Sequence, residues 1–191
     1  MTPGVASLQM IRQLKGKSTC HPKMEVVYVE KKSKRSKDVA LVALWAALYA
    51  ALVYAFAPIS FEVVQFRVAD ILPPSIAKKW KLAVGYAMGC LAANCVSPFV
   101  GPWDLSFMPV MSFVAGSLGY LAAKLWKKYD YYVCGAVHAV VIAPAVSFML
   151  LQLFNIPMLL SFPSLLVSEL VLGVIGATLF KAVEKRWIWW K

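Results

Sequence analysis

The stretch that decides the fold begins Lys31-Lys32-Ser33-Lys34-Arg35-Ser36-Lys37-Asp38. It continues Val39-Ala40-Leu41-Val42-Ala43-Leu44-Trp45-Ala46-Ala47-Leu48-Tyr49-Ala50-Ala51-Leu52-Val53-Tyr54-Ala55-Phe56-Ala57-Pro58. A strongly basic run gives way to 20 residues without a charge. About 20 apolar residues in helical form span the ~30 Å core of a bilayer. The reading is a membrane span with a basic flank, and such flanks stay on the cytoplasmic side.

Working outward, four more blocks read as spans: Leu82 to Val100, Leu105 to Leu125, Tyr131 to Phe154 and Phe162 to Phe180. A sixth, Val63 to Ala77, holds Arg67, Asp70, Pro73 and Pro74, and reads as a short or Pro-broken crossing. The expected fold is all-α, a polytopic six-helix membrane bundle with a short Pro-containing second helix. Residues 1–38 form a basic, mobile cytoplasmic tail, in which Met24 to Val29 could pair as a strand. Residues 39–186 form the bundle, and 187–191 a Trp-rich interfacial end, with Trp187, Trp189 and Trp190 at the headgroups. The tail has no apolar core of a cleavable signal.

Composition agrees. The chain is 61% hydrophobic and 15% charged, against roughly 45–50% and 25% in soluble domains. That excludes a soluble globule and excludes disorder. A net charge of +11 would suggest nucleic acid in a soluble protein. Placed on six spans, all basic residues but one fall on the cytoplasmic side, with both termini. The charge is therefore a topology signal, the partner is the lipid bilayer, and no nucleic acid is expected. With five spans, Lys78, Lys79 and Lys81 would face outward and the alternation would break.

The exception is Arg67. Around it, toward the outer side, lie Gln65 and Asp70 in the second segment and Asn94 near the end of the third span. Trp103 and Asp104 open the fourth span, and Gln152 and Asn155 close the fifth. Glu169 lies seven residues beyond Phe162, or roughly 10 Å of helix rise. An ionised group in a span costs ~2.5–3.5 kcal/mol by insertion scales unless it faces a partner or a wet cavity. Gly173 and Gly176 share its face, which turns Glu169 toward the bundle. The cluster reads either as an outward-facing pocket for a small polar ligand or as an ion pair of Arg67 with Asp70 or Glu169. Asn94 could equally bond across helices, and Asp104 could cap a helix. His138, toward the cytoplasmic half, reads as a packed core histidine.

Ala43, Ala47, Ala51 and Ala55 recur every four residues in the first span and make a small-residue face. It suits tight internal packing or docking on another membrane subunit. Enzyme signatures are missing: there is no phosphate-binding G-x-x-x-x-G-K-[ST], no H-E-x-x-H and no G-x-S-x-G. Cys20, Cys90, Cys95 and Cys134 form no C-x-x-C, so no cofactor, metal site or disulfide framework is expected. A non-enzymatic subunit is the outcome. Six spans without an internal repeat are few for a self-sufficient transporter.

Ala57-Pro58-Ile59-Ser60-Phe61, Gln65-Phe66-Arg67-Val68 and Asp70-Ile71-Leu72 resemble the first-loop signature of the queuosine-precursor transporter (QueT) family. That signature runs close to A-P-I-S-F-G-P-I-Q-F-R-V-S-E-A-L. The chain departs from it at Glu62-Val63, where Gly-Pro is usual, and at Ala69-Asp70, where Ser-Glu is usual. Ala93-Asn94 and Ser168-Glu169 resemble later family pairs. The resemblance implies a substrate-binding S-component of an energy-coupling factor (ECF) importer in the cell membrane. It implies a 7-deazaguanine ligand, such as queuine or its aminomethyl or nitrile precursors. The implied partners are a transmembrane T-component, docked through Ala43, Ala47, Ala51 and Ala55, and two cytoplasmic ATPases. The implied site is Glu169 or Asp70 on the guanine-like N–H edge, and Asn94, Gln65 or Arg67 on the ring oxygen. Trp103 would stack, and Asp104 or Asp70 would meet an ammonium. The other readings are an S-component for another vitamin, a membrane scaffold, or a membrane enzyme.

Overall fold

The computed structural model describes residues 22–60, 66–97 and 100–187, with side chains from residue 35 onward. It divides into two units, Met1–Lys37 and Asp38–Lys191. In the first, the described residues 22–37 are helical and open the long helix α1, Pro22–Ala55. The strand expected at Met24 to Val29 is therefore corrected to helix. A lone strand would leave its backbone donors and acceptors unpaired, whereas a helix pairs them internally. The rest of the tail, and Trp189 and Trp190, lie outside the described residues.

The second unit continues with α2, Ala57–Ser60, then two 3-10 helices, Val68–Ile71 and Pro73–Lys78. Next come α3, Leu82–Asn94, a π-helical turn, Trp103–Phe107, and α4, Met108–Leu125. A 3-10 turn, Lys127–Tyr129, leads to α5, Asp130–Phe154, and α6, Met158–Arg186. No strand occurs among the described residues. Four stretches are long and apolar enough to cross a membrane: Arg35–Ala55, Trp103–Leu125, Lys127–Phe154 and Met158–Arg186. The chain is an all-α polytopic membrane protein.

Two of the expected six crossings differ from a full-length α-helix. The third is only 13 residues long, or about 20 Å, and ends at Asn94 rather than Val100. The second is not an α-helix at all. Pro73 and Pro74 lack the N–H groups an α-helix needs and clash with its preceding turn. The segment instead takes two tight 3-10 helices that meet at Leu72. Pro73, Pro74, Ser75, Ile76 and Ala77 are all buried, packed among α3, α4, α5 and α6. Irregular backbone is tolerated at membrane depth when protein surrounds it. At its end, Lys78 Nζ lies 2.7 Å from Asp130 of α5 and 3.0 Å from Glu184 of α6. Lys79 and Lys81 pair with Asp38 of α1.

Small residues let the helices approach this segment and one another. A Cβ on Gly176 of α6 would stand 2.1 Å from the Ile71 carbonyl oxygen, so only glycine admits the 3-10 backbone there. Gly135 of α5 and Gly173 of α6 meet backbone to backbone, and Gly89 of α3 seats against Ala46 and Tyr49 of α1. The face of α1 turned inward thus carries Trp45, Ala46 and Tyr49, with Trp45 Nε1 donating to Ser75 Oγ at 2.8 Å. Ala43, Ala47, Ala51 and Ala55 lie on the exposed side of the same helix. The reading of that ladder as internal packing is thereby corrected.

Candidate binding site

Asp70 lies in the first 3-10 helix and is 2% exposed. Its Oδ1 accepts from Tyr86 Oη of α3 at 2.8 Å and from Tyr49 Oη of α1 at 3.5 Å. Two phenols therefore share one carboxylate oxygen. Glu169, from α6, is 6% exposed. Arg67, just before the 3-10 helix, is 5% exposed. Together with Tyr86, Met108, Ser112, Ile142, Ala143, Val146 and Leu165, these three line one cavity. It spans about 300 Å³ including its mouth. Its interior is tight, with room for about one water. Anything larger than a water therefore enters only if a lining side chain yields, and Met108, with three rotatable bonds, is the most pliant.

The cavity lining combines apolar side chains with one guanidinium and two carboxyl groups, a donor set and an acceptor set. Arg67 Nε and Glu169 Oε2 are buried without a hydrogen-bond partner among the described residues. A buried polar atom left unpaired costs ~1–3 kcal/mol. Two lining residues that each carry such an atom suit a cavity for a polar ligand.

Of the other residues singled out from the sequence, none of the described ones lines this cavity. Asn94 is fully buried, and its Nδ2 donates to the Asp104 backbone carbonyl at 2.9 Å. Asp104 caps no helix through its side chain; its Oδ2 accepts from Ser97 Oγ at 3.2 Å. These bonds close the turn between α3 and α4. Trp103 packs edge-to-face on Phe107 and Phe148, at centroid distances of 5.5 and 5.6 Å. Gln65 lies outside the described residues. Asn155 takes a left-handed conformation (φ 54°) that ends α5, a helix-terminating role common for Asn. Gln152 is exposed.

Two neighbours went unnoticed in the sequence, and a third was misplaced. Tyr49 and Tyr86 bind Asp70, and a phenol inside an apolar span is a signal for a buried partner. His138 is buried, as expected, but not away from the cluster: its Nδ1 lies 3.7 Å from Glu169 Oε2. The reason is depth. The last helix starts at Met158 rather than Phe162, which puts Glu169 roughly 16 Å along it rather than 10 Å. Glu169 thus sits deeper in the bundle, level with His138. No group of three His, Cys, Asp or Glu side chains suited to a metal occurs among the described residues.

No curated protein and no solved structure matches the chain. Residues 39–185 match a family described as QueT transporter, a match that takes in every cavity residue and leaves out the basic tail. The chain belongs to the QueT transporter family and is a membrane transport protein.

Proposed function

We propose that the protein captures a queuosine precursor, a 7-deazaguanine, as the membrane-embedded substrate-binding subunit of an ATP-driven ECF importer. The observation that carries this reading is the joining of Arg67, Asp70 and Glu169 in one buried cavity of a chain in this family. A guanine-like edge presents an N–H and an amino group side by side, and one carboxylate accepts both. Glu169 is assigned that role. Arg67 donates to the ring oxygen. Asp70, held by two phenols, faces an aminomethyl ammonium. The apolar side chains of Met108, Ile142 and Val146 cover the ring. Asn94 and Asp104 support the mouth without touching ligand, and Trp103 braces it with Phe107 and Phe148.

The basic flanks support cytoplasmic termini and a ligand arriving from outside. The chain has no phosphate-binding loop, so ATP hydrolysis is assigned to two cytoplasmic ATPases. A transmembrane T-component docks on α1, where Ala43, Ala47, Ala51 and Ala55 leave a shallow exposed face. The test is a thermal-shift panel on detergent-purified protein. Stabilisation by 7-aminomethyl-7-deazaguanine or queuine, and not by unrelated vitamins, is expected. Stabilisation by an unrelated vitamin alone would overturn the substrate assignment.

A further inference from the structure

His138 does not line the cavity, yet it is packed against the group that does. Its ring is 2% exposed and meets Tyr86 edge-to-face at 5.1 Å and 76°. Tyr86 in turn donates to Asp70, which lines the same cavity as Glu169. His138 Nδ1 lies 3.7 Å from Glu169 Oε2, just beyond a formed hydrogen bond. Neither Glu169 Oε2 nor His138 Nε2 has a hydrogen-bond partner among the described residues. The last torsion of a glutamate is broad and soft, so the direction of the Glu169 carboxyl depends on what stands beside it, and beside Oε2 stands the imidazole.

We infer that His138 is a positioning residue that holds the Glu169 carboxyl toward the cavity through Nδ1, so that ligand affinity depends on His138 only while Glu169 carries a carboxylate. The inference rests on the assignment of Glu169 to the ligand. It makes His138 a determinant of binding without a ligand contact of its own. Asn keeps a nitrogen donor on Cγ, where His carries Nδ1. Phe keeps the ring against Tyr86 and removes both nitrogens.

The experiment is isothermal titration of the full-length, detergent-purified protein with 7-aminomethyl-7-deazaguanine. The variants are Glu169→Gln, His138→Asn, His138→Phe and the double variant Glu169→Gln with His138→Phe. His138→Phe should weaken binding about tenfold in the native background and leave Glu169→Gln unchanged, because coupled residues are non-additive. His138→Asn should stay within about threefold of native affinity by retaining the donor. An equal loss from His138→Phe in both backgrounds would overturn the inference, as would His138→Asn binding as poorly as His138→Phe. Native affinity in Glu169→Gln would instead reject the assignment of Glu169 to the ligand, a separate failure. Because His138→Asn and His138→Phe are compared at matched thermal stability, loss of folding is not read as loss of positioning.

Discussion

Gly135 of α5 and Gly173 of α6 touch through their backbones, a Cβ on Gly135 standing 3.2 Å from the Gly173 Cα and carbonyl oxygen. The two helices are joined by a short turn at 155–157, so they run antiparallel. His138 follows Gly135 by three residues and Glu169 precedes Gly173 by four, which brings both to one level. The glycine crossing is what sets the cavity's Glu169 beside the imidazole.

Substitutions at that crossing should therefore act on stability first. Gly173→Leu forces two backbones apart and is expected to cost about 1–3 kcal/mol, the range for overpacked sites. Gly176→Ala should cost more than Gly173→Ala, since its Cβ would collide with the Ile71 carbonyl rather than graze a neighbour. Thermal unfolding in detergent, followed for the three variants, gives the order. Equal stability of Gly176→Ala and native protein would contradict the packing described for the 3-10 segment.

Asn94 separates structure from recognition. Asn94→Leu leaves the buried Asp104 carbonyl without its donor, a loss of ~1–3 kcal/mol. Folded Asn94→Leu should still bind ligand within about threefold of native protein, because additivity holds for residues outside a shared network. Titration at a temperature well below the unfolding midpoint measures this. A tenfold loss of affinity would return Asn94 to the ligand.

The exposed alanine ladder gives the opposite separation. Ala47→Leu and Ala51→Leu place bulk on a surface that packs on nothing within the described residues of the second unit. Ligand affinity and thermal stability should hold, while co-purification with the T-component and ATPases falls at least severalfold, as expected where bulk blocks close helix approach. Unchanged recovery of the partners would move the docking surface elsewhere.

Much of this architecture is legible in the sequence because hydropathy and charge report it directly. The blocks from Val39 and Tyr131 are long and free of Asp, Glu, Lys and Arg, the block from Phe162 holds only Glu169, and Arg67 stands out as the basic residue that the topology leaves over. Asp70 and Glu169 are legible for the same reason, as acids too costly to leave facing lipid. What hydropathy does not report is register. The four residues between Met158 and Phe162 deepen Glu169 by one helical turn, and that turn brings His138 into the site. The 3-10 path of 68–78 is only half legible: Pro73 and Pro74 exclude an ordinary helix but do not name its replacement. Tyr49 and Tyr86 look like ordinary span aromatics until Asp70 is placed between them.

The Glu169 carboxylate is the centre of the account. Replacing it by an amide keeps the volume and turns one acceptor oxygen into a donor facing the ligand's own donors. The direct measurement is the affinity of detergent-purified Glu169→Gln for 7-aminomethyl-7-deazaguanine, by titration beside native protein at matched thermal stability. The account predicts a loss of well over tenfold, or more than about 1.4 kcal/mol. Native affinity in a folded Glu169→Gln protein would contradict it.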